Sequence, residues 1–212
     1  MAEHLHNWLE GYVATNCSPR TYDGYSSIIE RHLIPSLGSV QLKNLTPQQI
    51  QAYYSKMRGK LSDRTIHHQH RVLSQSLKYA VRQGFLGRNP CELVDPPSPK
   101  RKLMRTLERS EVEILLSVAE DSPYYEIIYT AISTGLRQAE LLGLRWRDIS
   151  LDVCSISVSR VLYRRRGRSE FKLPKTSHSS RSVAMTPKLA LFLRDYRAQR
   201  AALYKQTGRE LG

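Results

Sequence analysis

Two short segments in the second half of the chain carry cationic side chains suited to phosphate chemistry. Arg137 lies in residues 134–146, which read TGLRQAELLGLRW, and Lys175 lies in residues 172–183, which read KLPKTSHSSRSV. A guanidinium is a planar fork that can donate hydrogen bonds to two phosphate oxygens at once. A hairpin lysine can give a proton to a departing oxygen as a general acid. Such a pair is suited to phosphoryl transfer in which side-chain cations, without a metal ion, stabilise the developing charge.

Both residues also have an ordinary structural interpretation. Arg137 could form a surface ion pair with Glu140, which follows three residues later on the same helix. Lys175 could be an exposed lysine in a turn. Without the sequence blocks that surround Arg137 and Lys175, the two structural interpretations would be favoured.

The two segments resemble the active-site blocks of tyrosine recombinases, the family that includes the phage integrases. Residues 134–146 are similar to the first block, T-G-x-R-x-x-E-L followed by Leu-x-Trp, and residues 172–183 are similar to the β-hairpin block, P-K-T-x-x-S-x-R. The resemblance implies that Arg137 is the first catalytic arginine, that Glu140 supports it and that Lys175 is the catalytic lysine. It also implies that the complete protein cleaves and rejoins DNA through a 3′-phosphotyrosine intermediate.

The resemblance extends over nearly the whole chain. Four residue pairs occur where the family's helical, SAM-like core-binding domain carries similar pairs: Thr21-Tyr22, Leu37-Gly38, Leu45-Thr46 and Asn89-Pro90. The implied fold class is mainly α with a small antiparallel β-sheet, a core-binding domain being followed by a partial α+β catalytic domain. The implied partner is double-stranded DNA with recombination or attachment sites. We expect a monomer in solution and higher-order assembly on DNA in the complete protein.

The family completes its site downstream of the lysine, with an H-x-x-R helix, a further His or Trp, and a nucleophilic tyrosine. Literal H-x-x-R matches begin at His68 and His178, but the first precedes Arg137 and the second overlaps the lysine block. Tyr196 and Tyr204 lie on the final helix without the family's L-G-H context. We therefore expect a truncated form that cannot cleave DNA. The alternative is a non-catalytic DNA-binding protein or a remnant of a mobile element; a helix-turn-helix regulator would leave both blocks unexplained.

The charge of the chain is strongly basic, with 33 Lys and Arg against 19 Asp and Glu, a net charge of +14. Such a chain attracts polyanions, of which nucleic acid is the commonest, although a basic surface can also serve solubility alone. Residues 96–107 are the most concentrated segment, with four basic residues and no acidic one. The basic residues that we expect to contact DNA are Arg64, Arg71, Lys78, Lys100, Arg101, Lys102, Arg164, Arg165, Arg166 and Arg181.

Clear helix-start signals organise residues 1–95 as a small helical bundle. Ser18 and Thr46 each precede a proline that can occupy the first helical position, and Gln49 can complete a capping box with Thr46. Ser62 can cap a third helix. The apolar residues of that helix recur at helical spacing, at Ile66, Leu73, Leu77, Ala80 and Val81. Residues 1–95 are therefore predicted to form the core-binding domain.

Residues 96–106 form a basic, proline-rich linker, either a strap along a phosphate backbone or a solvated tether. Residues 107–212 are predicted to be the N-terminal part of the catalytic domain. Helices are expected near 108–120, 123–134, 136–146 and 187–204. Residues 153–163 alternate as in a strand, residues 164–168 form a turn, and residues 171–173 and 181–185 are predicted to form short strands.

Cysteine spacing and hydropathy exclude several other classes of protein. The three cysteines are far apart and form no C-x-x-C pair, so neither a zinc site nor a disulfide framework is expected. No apolar run approaches the ~20 residues of a membrane span, and no signal peptide is evident. We expect a soluble cytoplasmic protein that needs no cofactor and no metal.

Overall fold

The computed structural model describes residues 1–100, 103–165, 167–173 and 180–206. The chain divides into two compact units, Met1–Met104 and Arg105–Gly212. The division lies in a stretch in which the described residues 94–100 and 103–108 form neither helix nor strand. Within the described ranges, no helix combines the length and the apolar composition that a membrane crossing requires.

The regular elements in the described part of the first unit are all helices, apart from an isolated β-bridge between Arg58 and Leu61. Its α-helices are Ala2–Asn7 (α1), Ala14–Asn16 (α2), Pro19–Ile28 (α3), Ile34–Leu37 (α4), Pro47–Met57 (α5) and Asp63–Arg82 (α6). The π-helical stretches Trp8–Val13 and Ile29–Leu33 join α1 to α2 and α3 to α4, and two short 3-10 helices span Leu42–Asn44 and Pro90–Leu93.

Side-chain caps start three of these helices, as the sequence predicts. The Ser18 hydroxyl accepts a hydrogen bond from the N–H of Thr21, and the Ser62 hydroxyl accepts one from the N–H of Thr65. Thr46 and Gln49 form a complete capping box, with distances of 3.3 and 2.9 Å. These contacts satisfy N–H groups that have no partner inside the helix, so they fix where each helix begins.

The core of the first unit is built around one face of α6. Ile66, Leu73, Leu77 and Ala80 are fully buried, whereas Val81 is half-buried. Ile66, Leu73 and Leu77 belong to an apolar core to which every longer helix of the unit contributes. Complete burial of each large apolar side chain stabilises the fold by roughly 1.5–3 kcal/mol. The predicted apolar stripe is therefore the packing face of α6.

The second unit combines helices with short antiparallel strands. Its helices are Arg109–Ala119 (α7), Tyr125–Thr134 (α8), Gln138–Leu141 (α9) and Pro187–Gln206 (α10), with a 3-10 helix at Trp146–Asp148. The strands are Ile149–Ser150 (β1), Ser155–Val158 (β2), Val161–Arg165 (β3), Arg168–Lys172 (β4) and Arg181–Ala184 (β5). They form a three-stranded sheet of order β1-β2-β5 and a β3-β4 hairpin. The expected fold class, mainly α with a small antiparallel sheet, is confirmed.

The core of the second unit lies between the three-stranded sheet and α10. Ile156 and Val158 of β2 and Leu189 of α10 are fully buried. Ile156 pairs with Ile149 on one side and with Val183 on the other, so β2 is the central strand of the sheet. This core fixes β5 and places its first residue, Arg181, opposite Val158.

The predicted helix over 136–146 is wrong in its extent, because α9 ends at Leu141. Gly143 lies directly against the backbone of β3: a Cβ at this position would come within 2.8 Å of the Arg160 carbonyl oxygen. The Arg160 Nε in turn donates a 2.7 Å hydrogen bond to the Gly143 carbonyl. This close backbone approach pulls the chain out of helical geometry.

The predicted single strand over 153–163 is also wrong, because it is divided into β2 and β3, which belong to different sheets. Ser159 and Arg160 separate the two strands. The Ser159 hydroxyl contacts Arg145 and Asp148, and Arg160 contacts Gly143. Both residues are therefore held by the segment after α9 and not by a strand ladder. The turn predicted at 164–168 is shorter, since β3 continues through Arg165 and β4 begins at Arg168.

Replacement of Gly143 by alanine tests the close approach of this residue to β3. We expect Gly143→Ala to lower the free energy of unfolding of the second unit by about 1–3 kcal/mol, because the added methyl group meets backbone atoms that cannot rotate away. Urea unfolding followed through Trp146 fluorescence, with Trp8 replaced by Phe, measures this unit alone.

The control for Gly143→Ala is Gly24→Ala in α3, where no atom lies within 4 Å of the new Cβ. Followed through Trp8, it should stabilise the first unit by up to about 1 kcal/mol. Equal unfolding free energies for Gly143→Ala and its parent would refute the close approach.

Candidate functional site

Glu140 is the centre of a compact cluster of charges in the second unit. Among the described residues it is the only acidic residue that is buried as a whole, with 4% of its side chain exposed. Its Oε1 accepts hydrogen bonds from Nη1 of Arg137 (3.0 Å) and Nη1 of Arg181 (2.9 Å). Its Oε2 accepts from the backbone N–H of Arg137 (2.9 Å) and from Nη2 of Arg181 (3.0 Å). Each carboxylate oxygen thus accepts one hydrogen bond from Arg137 and one from Arg181.

These contacts keep Glu140 ionised. Its pKa is lowered from 4.5 to about 2, chiefly by the hydrogen bonds from the Arg181 guanidinium. Burial opposes the decrease, while the backbone and side-chain hydrogen bonds from Arg137 add to it. Glu140 therefore acts as a fixed negative charge near neutral pH and is unsuited to proton transfer there.

The backbone around Arg137 is shaped by the end of α8. Gly135 ends that helix in the left-handed region, with φ of 65°, which a residue with a Cβ adopts only at a cost. Thr134 accepts a hydrogen bond from the N–H of Leu136 through its hydroxyl, and Leu136 is buried. Arg137 then takes an extended conformation as the residue that precedes α9. The TGLR sequence thus forms a tight turn that ends in an arginine.

The Arg137 side chain is directed to solvent, with 75% of its surface exposed. A guanidinium has five N–H donors, and the described contacts with Glu140 use one of them. The exposed edge can therefore bind two oxygens of an anion such as a phosphate group. The ion pair with Glu140 offered by the structural interpretation is present, and the guanidinium stays accessible, while the catalytic role of Arg137 stays a prediction.

A second arginine–carboxylate pair with the same spacing, Arg145 and Asp148, was not predicted from the sequence. Arg145 donates to Asp148 through Nε and Nη2, both at 2.8 Å, and through its backbone N–H at 3.0 Å. The Ser159 hydroxyl, which lies between β2 and β3, accepts a further hydrogen bond from Nη2 of Arg145. The side chains are only 22% and 8% exposed, and the contact with Arg145 lowers the pKa of Asp148. The repeated R-x-x-acid spacing was the available signal for this structural pair.

Arg181 lies on β5 and was predicted to contact DNA. The structure places its guanidinium on Glu140 through both η nitrogens, with a third of the side chain exposed. Lys175, the predicted catalytic lysine, lies outside the described residues. The structure therefore brings Arg137, Glu140 and Arg181 together and describes nothing of the position of Lys175.

The predicted DNA-contacting residues of the helical bundle share one face of α6. Arg64, Arg71 and Lys78 are all exposed and follow one another at seven-residue intervals, which is close to two helical turns. We call these three residues the basic stripe. It extends for about 21 Å along the helix axis. The opposite face carries the buried apolar residues, so α6 can pack and present positive charge at the same time.

The remaining predicted contacts belong to the linker and the β3-β4 hairpin. Lys100 is exposed, while Arg101 and Lys102 lie outside the described residues. On the hairpin, Arg164 is exposed and Arg165 is half-buried. Arg166 again lies outside the described residues. Two cation–π contacts brace this hairpin, Arg160 over Phe171 at 3.9 Å and Lys172 over Tyr163 at 4.3 Å.

Tyr196, one of the two tyrosines near the end of the chain, is a packing residue. Its ring centroid lies 6.0 Å from that of Trp146, and the Arg200 guanidinium lies 5.8 Å from the Tyr196 centroid.

In the described part of the chain, no group of three His, Cys, Asp or Glu side chains is arranged to hold a metal ion.

The lowered pKa of Glu140 predicts a specific loss of stability in acid. Its folded-state pKa, about 2, lies below its ordinary value of 4.5, so the ionised group stabilises the fold above pH 4.5. That contribution is lost as the pH falls from 4.5 towards 2. We expect Glu140→Gln to flatten the pH dependence of the unfolding free energy in this window, measured by urea unfolding of the second unit. Glu113→Gln, which removes an exposed carboxylate paired with Arg109, should keep the wild-type pH dependence. Parallel pH profiles for wild type and Glu140→Gln would contradict the assignment.

Comparisons with known proteins show which proteins this chain is similar to. Residues 1–58 match the model of the phage integrase N-terminal SAM-like domain. The chain is 29% identical, over 93% of its length and 55% of the relative, to a tyrosine recombinase XerC-like protein of Caldanaerobacter subterraneus subsp. tengcongensis. It is 28% identical, over 90% of its length and 52% of the relative, to the ICEBs1 integrase of Bacillus subtilis. The chain thus spans about half the length of the curated relatives it matches.

Solved structures share the fold. The Tn1549 transposon integrase in complex with transposon right end DNA aligns with a TM-score of 0.83 and 22% identity, over 94% of this chain and 65% of that one. A lambda integrase dimer bound to a COC′ core site aligns with a TM-score of 0.68 and 18% identity, over 90% and 67%. With the sequence relatives, this agreement confirms the resemblance drawn from the Arg137 and Lys175 segments. The chain is therefore similar to tyrosine recombinases and integrases in sequence, and similar to integrases in fold.

Proposed function

We propose that this chain is the DNA-binding and phosphate-activating part of a site-specific DNA recombinase of the integrase type. In the complete protein, DNA strands are cleaved and rejoined through a 3′-phosphotyrosine intermediate. The partner is double-stranded DNA that carries a recombination or attachment site. The observation that carries the proposal is the Arg137–Glu140 arrangement, in which a buried carboxylate orients an exposed guanidinium. The relatives named as integrases and the DNA-bound structural neighbours support the same function.

Arg137 binds the scissile phosphate in this proposal. Attack on phosphorus builds negative charge on the non-bridging oxygens, and a guanidinium already oriented by Glu140 stabilises that charge with little reorganisation. Glu140 takes no part in proton transfer, because its pKa is too low near neutral pH. Lys175 donates a proton to the leaving 5′ oxygen as the general acid. These side chains supply the electrostatic stabilisation that a metal ion supplies in other phosphoryl-transfer enzymes.

DNA binding is distributed over the chain. Residues 1–95 act as the core-binding domain, residues 96–106 as a basic linker, and residues 107–212 as the first part of the catalytic domain. Basic residues in each part bind phosphates and release counterions, so binding weakens steeply as salt increases. The basic stripe of α6, Lys100, Arg101 and Lys102 in the linker, and Arg164, Arg165 and Arg166 in the hairpin are the assigned contacts. The protein acts in the cytoplasm as a monomer that assembles on DNA.

Salt dependence of duplex binding tests the basic stripe. We expect the 212-residue chain to bind duplex DNA with a logarithmic affinity that falls linearly with the logarithm of salt concentration, measured by fluorescence anisotropy. Replacement of Arg64, Arg71 and Lys78 by Gln should reduce the slope by about 0.9 for each phosphate that the stripe neutralises. The matched control replaces Arg20, Lys43 and Lys56, also exposed and also in the first unit, and should retain nearly the wild-type slope. A wild-type slope for the variant of Arg64, Arg71 and Lys78 would show that the stripe does not contact DNA.

Replacement of Arg137 separates binding from chemistry. Arg137→Ala should leave duplex affinity of this chain within about threefold, since Arg137 is one of many residues that bind phosphate, yet abolish covalent protein–DNA adducts in the complete protein. Arg109→Ala, at an exposed arginine of α7, serves as the control and should preserve adduct formation. Adduct formation that survives Arg137→Ala would disprove the site assignment. A complete protein that binds DNA but forms no adduct would instead be a non-catalytic DNA-binding protein.

A further inference from the structure

The Arg137–Glu140–Arg181 cluster contains two guanidinium groups and one carboxylate, so it carries a net positive charge. Glu140 balances one of the arginines, and the two differ in their contacts with it. Arg181 uses both η nitrogens on the two carboxylate oxygens, whereas the Arg137 side chain donates once. The uncompensated positive charge is therefore held by Arg137, which is also the more exposed of the two.

We propose that Arg181 is a positioning residue for the reaction, acting through Glu140 on Arg137, and is not a contact to DNA. The inference rests on the proposed function for its meaning in catalysis. By occupying both carboxylate oxygens, Arg181 prevents Arg137 from binding Glu140 with two side-chain nitrogens. Arg137 consequently keeps its outward orientation and its free donors, which the scissile phosphate requires.

The Arg145–Asp148 pair illustrates the alternative. It has the same three-residue spacing and the same hydrogen bond from the arginine N–H to the carboxylate. Its described contacts include no second guanidinium on Asp148, and Arg145 binds both carboxylate oxygens with Nε and Nη2. The Arg145 side chain is accordingly 22% exposed, against 75% for Arg137. Without Arg181, the Arg137 side chain should bind both oxygens of Glu140, as Arg145 binds both oxygens of Asp148.

Arg181 is also poorly placed as a phosphate ligand. Both of its η nitrogens already donate to a buried carboxylate, and charge-assisted bidentate pairs of this kind are the strongest hydrogen bonds of side chains. A phosphate could recruit this guanidinium only by taking it from Glu140, which would leave a buried negative charge less compensated. The predicted role of Arg181 in DNA binding is therefore replaced by a role inside the site.

Chemical modification of Arg137 tests this proposal on the 212-residue chain itself. Phenylglyoxal reacts with accessible arginines, and proteolysis with mass spectrometry gives the rate at Arg137. Arg181→Gln should slow this rate about threefold, the ratio of the exposures of Arg137 and Arg145. Adding Glu140→Gln should restore the rate, because a neutral amide with one acceptor oxygen cannot bind the guanidinium twice. Arg194→Gln, which removes another arginine–carboxylate pair of the same unit, should leave the rate unchanged.

A loss of structure alone would expose Arg137 and speed its modification, so slowing is specific to the proposed mechanism. An unchanged or faster rate in folded Arg181→Gln would overturn it. Should that variant fail to fold, Arg181→Lys decides: lysine can occupy one carboxylate oxygen but not both, so a smaller slowing is expected, and a wild-type rate would overturn the proposal.

Duplex binding in the same preparations separates this inference from the proposed function. Arg181→Gln should keep the wild-type salt slope, whereas a phosphate contact at Arg181 would reduce the slope by about 0.9 and would overturn the positioning role. If the wild-type chain shows no salt-dependent binding at all, the proposed function fails, while the modification rates still report on how Arg181 controls Arg137.

Discussion

A carboxylate buried away from water must be compensated, and the second unit is organised around that requirement at Glu140. An uncompensated buried charge costs several kcal/mol, which only close donors can offset. Here four hydrogen bonds from two arginines supply them. One arginine precedes α9 and the other begins β5, so compensation requires the helix and the strand to be in place together. Because β5 pairs with the central strand β2, the site is fixed by the same packing that forms the core of the unit.

The balance between arginine and carboxylate charges then determines whether a cluster can bind an anion. Two arginine–carboxylate pairs with identical spacing lie close together in the chain, yet only Arg137 is left largely exposed. The described contacts differ in one respect that matters: Glu140 has a second guanidinium and Asp148 does not. A pair whose charges cancel serves packing, whereas a cluster with one excess positive charge can bind an anion. The proposed phosphate chemistry therefore depends on a residue 41 positions away from the carboxylate it binds.

In the first unit, helix α6 must both pack against the core and present positive charge to solvent. The residues of α6 that form the core are fully buried on one face, and Arg64, Arg71 and Lys78 are exposed on another. Apolar burial fixes the orientation of the helix, and the orientation in turn determines which charges reach solvent. Stability and polyanion attraction therefore use the same element without competing for the same side chains. Such electrostatic attraction carries no base sequence information, so recognition of a particular DNA site requires contacts of another kind.

Local spacing in the sequence determined much of this protein: the capped starts of three helices, the apolar and basic faces of α6, and the pairing of Arg137 with Glu140. Each involves residues within a few turns of one another, where helical geometry alone fixes proximity. Tertiary packing decided the rest. Gly143 ends α9 early because the backbone of Arg160 lies against it, and Ser159 and Arg160 divide the predicted strand. Arg181 binds Glu140 because the β2–β5 register places it there. Contacts between residues distant in sequence depend on which surfaces pack together, and a pattern read along a single chain does not contain that information.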